Sequence, residues 1–396
     1  MKILLLSEIQ VYPAMSGGQI RTGSFARALA ELGHDVTIYS FTGRKKEYLE
    51  RKKSSAAQLE NGVKEFVNRQ PFFGACQWFA YKFELPPLWS NLIARVYAPK
   101  KLREFAEVAD LVVVDFPFLY PIATRLNKPW HLNTHNVEHQ LWKKSLVAPV
   151  LVPVVKKMER AAAKNADLVI ACAPADQEYF AELNSVVLVP NGIFPEDYRI
   201  DPEVRNSTRK ELGVGDDETL FVFTGSNFGP NRSALVRLQE FCEAERTFLR
   251  DKGVKIVVVG TVAAQAGENP VKELNEERIH LTSFVDSIQP YLAAADYALN
   301  PVFEGSGSNV KNSEYISSRL PILTQEFGTR GYEIEDKVSC LTFDFDSLVD
   351  CLSTAVDLSE DQRRAMTDHA FNENEIQISM LAAVKKYIAE TTSEDS

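Results

Sequence analysis

Short uninterrupted apolar runs alternate along this chain with longer stretches in which apolar side chains recur every three or four positions. The runs at 2–7, 111–114, 168–171 and 186–189 carry apolar residues at successive positions, and the more mixed runs 35–40 and 130–133 continue the series. A strand of that kind buries both faces and belongs inside a parallel sheet. Between the first two, residues 19–32 place Phe25, Leu29 and Leu32 at helical spacing and stop at Gly33, which predicts a helix. The rhythm restarts at 220–224 and continues through 255–259, 278–281, 297–300, 321–324 and 339–342. Residues 191–217, between the two sets, are polar and punctuated by proline and glycine, and read as a hinge region.

The pattern therefore predicts an α/β protein with two doubly wound parallel sheets. The expected domains are 1–195 and 196–370, followed at 371–396 by a helix packing back toward the first domain and an acidic tail. Ligands of such sheets bind outside the carboxyl ends of the strands, so the expected site is an interdomain cleft. A length of 396 residues agrees, being too great for one hydrophobic core. The net charge of −10 argues against nucleic acid as a partner, which needs a dense excess of Lys and Arg. One phosphorylated small molecule remains compatible, because a few amides and one or two cations hold it. Five scattered cysteines without a Cys-x-x-Cys pair suit a reducing, cytoplasmic setting. The ten-residue apolar run 146–155 is broken by Pro149 and Pro153 and falls short of the roughly 20 residues of a membrane span.

Chemistry concentrates in Gly305-Ser-Gly-Ser-Asn-Val-Lys311-Asn-Ser-Glu314, which follows one strand and leads into a helix. Glycine and serine before a helix leave amide N–H groups open to a ligand, and the helix dipole adds positive potential. Such a loop suits a diphosphate, with Glu314 one turn further in, placed to accept from ribose hydroxyls. The bland alternative is an N-capped connection.

That run, together with Asp286-Ser-Ile-Gln-Pro-Tyr-Leu-Ala-Ala-Ala-Asp296 and Arg319-Leu-Pro321, resembles the retaining group-1, or family-four, glycosyltransferases. Gly17-Gly18, Thr134-His135-Asn136, Ala166-Asp-Leu-Val-Ile170, Val189-Pro-Asn-Gly-Ile193 and Phe223-Thr-Gly-Ser226 match in family order over about residues 1–331. The resemblance implies a GT-B fold of two Rossmann-like domains, the first on the acceptor side and the second binding a nucleotide-diphosphate sugar. It implies transfer of the sugar with retention to an acceptor not identified: a glycan, a lipid-linked saccharide or a small molecule. It also implies site residues. Glu314 matches the second glutamate of a pair that binds the ribose. The first, eight positions earlier, is Ser306 here, as in a Gly-Ser-Gly branch of the family. Contacts to phosphate or sugar are then expected from the amides of Ser306, Gly307, Ser308 and Asn309, after Gly305. Two diphosphate-gripping cations of the family fall, after Gly225, on Ser226 and Asn231, leaving the adjacent Arg232 and Lys311 as candidates. Gly17 and Gly18 match the loop that approaches diphosphate and sugar, with Arg21 nearby. His135 matches a histidine at the reaction centre, with Glu138 close enough to orient it.

No cofactor is expected beyond the donor itself, and no metal. His131, His135 and His139 recur every fourth residue, but the first belongs to a strand and the second to a turn, and there is no Asp-x-Asp motif. Two other readings stand beside the transferase: a nucleotide-sugar 2-epimerase, and a non-catalytic GT-B subunit that binds a partner or a glycan. Residues 44–97 join Arg44-Lys45-Lys46 and Arg51-Lys52-Lys53 to a cluster of Phe, Trp and Tyr. They read either as core and solvated helix or as a peripheral contact with the inner face of a membrane. The oligomeric state is left open.

Overall fold

The computed structural model describes residues 1–396 except 15, 60–61, 84, 142–147, 265–277, 283, 306–308 and 394–396. The chain forms two units, Met1–Gly192 with Met380–Ser396, and Ile193–Ser379. The boundaries expected at 195/196 and 370/371 therefore fall at 192/193 and 379/380. The supposed hinge is largely the opening of the second unit. Asp201 caps a helix Pro202–Glu211, whose Arg205 and Arg209 both pair with Asp296. A polar surface disguised that helix, because its ion pairs rather than an apolar stripe attach it.

The first unit carries one sheet of β1 (Lys2–Ser7), β2 (Asp35–Ser40), β3 (Ser55–Gln58), β4 (Lys64–Val67), β5 (Leu111–Asp115), β6 (Trp130–Asn133), β7 (Leu168–Ala171) and β8 (Val186–Leu188). Their order is β3-β4-β2-β1-β5-β6-β7-β8, parallel except for the β3–β4 pair. The sequence pattern missed β3 and β4. All four β3 residues are exposed, and β4 replaces an apolar run with Lys-Glu-Phe-Val. Glu65 of β4 is nonetheless buried, because it accepts from the Val11 and Tyr12 amides at 2.7 and 3.1 Å and from Ser40 at 2.6 Å.

The second unit carries β9 (Thr219–Thr224), β10 (Val254–Val259), β11 (Ile279–Leu281), β12 (Tyr297–Asn300), β13 (Ile322–Thr324) and β14 (Cys340–Thr342), in the order β11-β10-β9-β12-β13-β14 and all parallel. In each sheet order reverses beside the first strand of the set, which is where ligands of doubly wound sheets bind. The register aligns the carboxyl ends that matter. Leu6 sits opposite Val114 and Asp115 opposite Asn133 in the first sheet, and Asn300 opposite Thr324 in the second. Apolar side chains fill both faces of each sheet, with Leu4, Val112, Leu132 and Val169 in one core and Phe221, Ile256, Leu299 and Leu323 in the other.

The terminal stretch expected to be helical breaks at Asn374 and Ser379 into helices Glu360–Glu373, Glu375–Ile378 and Met380–Ser393. The last of these packs in the first unit, where Tyr387 is fully buried, 5.7 Å from the Phe25 ring, and bonds His131 at 2.6 Å.

Candidate active site

In the second unit, β9 ends at Thr224, whose amide donates to the Tyr315 hydroxyl at 2.9 Å and whose Oγ1 donates to Glu314 Oε2 at 3.4 Å. Glu314 and Lys311 lie on the short helix Lys311–Ser317 and are half-buried. Lys311 Nζ donates to Asn231 Oδ1 at 2.9 Å and lies 4.8 Å from the centre of the Phe223 ring. Burial pulls the Lys311 ammonium down to about 7, opposed by Glu314, and pushes the Glu314 carboxyl up to about 7, opposed by Lys311. Glu314 in turn adds to the burial that keeps the Tyr198 phenol protonated. A cation and a carboxylate thus lie one helical turn apart and each favours the charged form of the other.

The loops around this pair are set by close backbone approaches. A Cβ on Gly225 would lie 3.0 Å from Val262 and 3.3 Å from Asn231, and Gly260, at φ +106°, leaves room only for the Gly225 carbonyl. Gly305 adopts φ +134°, and a Cβ there would lie 3.2 Å from Pro230. Asn309, Asn312 and Asn300 all donate to the Gly328 carbonyl, at 3.1, 2.8 and 3.4 Å. This asparagine knot fixes the start of the helix that carries Lys311 and Glu314, and sequence reasoning assigned a role only to Asn309. Asparagine at the end of a buried strand, as at Asn300, was the available signal. The first-turn amides of Asn312 and Ser313 turn back to the carbonyls of Asn309 and Val310. Ser306, Gly307 and Ser308 lie outside the described residues. Ser226 and Arg232 are exposed, and the Arg232 guanidinium donates to Asn227 at 3.2 Å rather than joining Lys311.

In the first unit, Gly17 and Gly18 are not a loop before the helix but its first two residues, capped by Ser16 in helix Gly17–Glu31. Starting the helix on glycine brings its backbone against His135: a Cβ on Gly18 would lie 3.4 Å from His135 Nδ1. The opposite ring nitrogen, Nε2, lies 3.4 Å from Asp115 Oδ1. Asp115 itself is fully buried and accepts from Asn133 at 2.6 Å and from Thr22. Burial lowers the His135 pKa, with Asp115 acting the other way, so the imidazole is neutral near pH 7. Phe116 packs its ring 4.1 Å from His135 while its own backbone is held at φ +64°, ψ 154°, a region almost reserved for glycine.

Asp115 and Phe116 were not singled out in the sequence. An acid directly after a Val-Val-Val run was the signal. Glu8, just past β1, was missed too. It is buried, bonded by Ser90, and pushed up to about 8 by burial, reinforced by Glu138 and Asp115. Arg21, in the same helix as Gly18, is buried. Its guanidinium clamps the carbonyls of Val189 and Pro190 and the side chains of Asn191 and Asn133. The three evenly spaced histidines diverge: His131 bonds Tyr387, His139 bonds Glu159 at 2.7 Å, and His135 faces Asp115. Glu138 lies beside Glu159, to which its amide donates at 2.6 Å.

Known families and known folds match this chain. Residues 15–197 match the family described as Glycosyltransferase Family 4, and residues 218–358 the family described as Glycosyl transferases group 1. The sequence matches no curated protein. Among solved structures, the sucrose-phosphate synthase of Thermosynechococcus elongatus superposes with a TM-score of 0.70 at 14% identity, covering 100% of both chains. Anabaena HepE in complex with UDP and glucose gives 0.68 at 17% identity over 99% of each. The UDP-forming α,α-trehalose-phosphate synthase of Burkholderia xenovorans gives 0.68 at 11% identity, over 98% of this chain and 99% of that one. At such identities the likeness is one of fold. Two Rossmann-like halves in this order define a GT-B protein. The chain belongs to the group-1 glycosyltransferases.

Proposed function

We propose that this glycosyltransferase takes its sugar from a nucleotide-diphosphate donor and transfers it with retention, without a metal ion. The observation that carries the reading is the Lys311–Glu314 pair. An ammonium and a carboxylate, one helical turn apart and both drawn toward neutrality by burial, are complementary to a diphosphate and a ribose diol respectively. The solved complexes of HepE with UDP and with UDP-glucose support a donor of this class. Glu314 is assigned to the ribose hydroxyls, and Lys311 to the diphosphate with Gly225, Ser226, Arg232 and the backbone of Gly305, Ser306, Gly307, Ser308 and Asn309.

In the chemical step the bond from the sugar's anomeric carbon to the diphosphate oxygen breaks, and the acceptor oxygen bonds to that carbon on the same face. The acceptor's proton passes to the departing diphosphate. Positive charge on the sugar and negative charge on the leaving group rise together, so a fixed ammonium lowers the barrier most in the transition state. His135 is assigned to the transferred sugar, with Gly17 and Gly18. As a neutral imidazole with Nε2–H turned to Asp115, it presents the Nδ1 lone pair to a sugar hydroxyl. Asp115 is the positioning group.

The test is calorimetric titration with UDP, GDP and ADP. Glu314→Ala should lose most of the affinity for the preferred nucleotide with its melting temperature intact. Unchanged affinity would remove the donor site from this pocket and the reading with it.

A further inference from the structure

Away from both clusters, the first unit exposes an apolar face built by the helices Pro71–Lys82, Leu88–Val96 and Ala148–Asn165. A cavity of about 650 Å³ opens there, lined by Phe72, Phe79, Leu85, Trp89, Val150 and Leu151. Its rim is unusual for a water-facing surface. Phe72 is 64% exposed and Val150 71%, and Phe79 and Phe83, more than half exposed, tilt against each other with ring centres 4.6 Å apart. Isolated exposed apolar residues need no explanation, but a contiguous set around an apolar cavity marks an interaction site.

Charge decides the occupant. Lys45 and Lys82 both lie over the Trp78 ring, at 5.5 and 5.0 Å, and Lys82 also lies 5.8 Å from Phe83. Residues 44–53 hold six basic side chains against two acidic ones, on a chain whose net charge is −10. Aromatic rings capped by lysines place an apolar body beside a cationic rim, the arrangement that suits a membrane's acyl layer beneath its phosphates. A second copy of this chain would instead bring lysine against lysine across a twofold contact. Among the described residues no helix is long and apolar enough to cross a membrane, so such a contact rests on the surface.

We propose that this face docks on an anionic phospholipid bilayer, with Phe72, Phe79, Phe83 and Val150 entering the acyl layer and Lys45 and Lys82 at the phosphates. The overall negative charge repels the rest of the chain from the same surface, which orients the docking. The proposal does not depend on the donor site.

Co-sedimentation of the full chain with vesicles tests it, using phosphatidylcholine alone and phosphatidylcholine mixed with phosphatidylserine. Binding is expected only to the anionic vesicles and should weaken with salt. Lys45→Ser and Lys82→Ser should each lower the partition coefficient about fivefold. The double variant Phe79→Ser/Phe83→Ser should lower it tenfold or more. Because these side chains are exposed, circular dichroism melting should be unchanged, which separates lost docking from lost fold. Equal binding to both vesicle types, no binding to either, or binding indifferent to the two phenylalanines would overturn the proposal. So would a dimer in sedimentation equilibrium that Phe79→Ser dissociates, since the face would then belong to a second copy. Donor hydrolysis without vesicles should be the same for all variants; its loss in a variant that melts normally would make this face part of the transfer machinery and overturn a separate docking role.

Discussion

Lys311 donates its ammonium to Asn231, 2.9 Å away, the position on which the family resemblance places a diphosphate-gripping cation. In the proposed donor site Asn231 therefore holds a cation instead of being one, and a single ammonium is fixed between its amide oxygen and the Phe223 ring. That proposed pocket should be sensitive to single changes in Lys311, Asn231 and Glu314.

Removing the Glu314 carboxylate should cost the binding of a nucleotide roughly ten- to a hundredfold, the range for a lost charge-assisted hydrogen bond. Glu314→Gln should fall between Ala and the natural residue, because it retains one acceptor. Isothermal titration measures both. Thr224, which donates to Glu314 at 3.4 Å, should show a smaller effect as Thr224→Val.

Nucleotide affinity should peak near pH 7. A diphosphate favours the charged Lys311, whose free-state value burial has lowered to about 7, so binding takes up a proton at higher pH and weakens by up to about tenfold per pH unit. Ribose hydroxyls favour the ionised Glu314, raised to about 7, so below that pH binding releases a proton and weakens again. Titrations in buffers of different ionisation enthalpy should show uptake at pH 8 and release at pH 6. Lys311→Met should abolish the alkaline limb.

His135→Ala should reduce transfer and donor hydrolysis by about a hundredfold or more while leaving nucleotide affinity alone, since the imidazole is assigned to the sugar. Gly18→Ala should lower transfer more mildly and leave the fold intact: its Cβ would meet His135 Nδ1 at 3.4 Å and Phe116 at 3.8 Å in ordinary contact, covering the lone pair assigned to the sugar hydroxyl.

Phe116→Gly should destabilise the protein less than Phe116→Ala. Both lose the ring stacked on His135, but only glycine relieves the backbone at φ +64°, worth about 1–3 kcal/mol. Thermal melts of the pair decide it. Elsewhere alanine outlasts glycine, so the reversed order is diagnostic.

Stability should fall in acid through His131. Burial holds its folded-state value at about 4, below the unfolded 6.5, so the neutral ring stabilises the fold above pH 6.5 and that contribution drains away between pH 6.5 and 4. The full effect is about 3 kcal/mol. Chemical denaturation at pH 7.5 and 4.5 should show it, and His131→Phe should flatten the difference.

Twelve of the fourteen strands of the described chain were legible because short apolar runs bounded by turn residues and separated by helix-length stretches mark the strands of a covered parallel sheet. β3 and β4 were not, because an edge strand need bury nothing and Glu65 occupies a core position that only folded partners make tolerable. The Lys311–Glu314 cluster was legible as a motif, since both residues sit within one turn of a single helix.

What the chain decided alone was local: apolar runs, glycines at φ values other residues avoid, and the spacing of one loop and helix. What tertiary structure decided was every pairing across distance. Thr224 meets Glu314 at 3.4 Å, Asp115 meets His135 at 3.4 Å, and Tyr387 meets His131 at 2.6 Å, although these partners are separated by 90, 20 and 256 residues. Arg21, noted in the sequence only for its place near Gly18, and His131, read there as a strand residue, are braces for the same reason. A side chain's role is set by the carbonyls and hydroxyls that the sheet register brings to it, and register is a property of the folded sheet, not of any one strand.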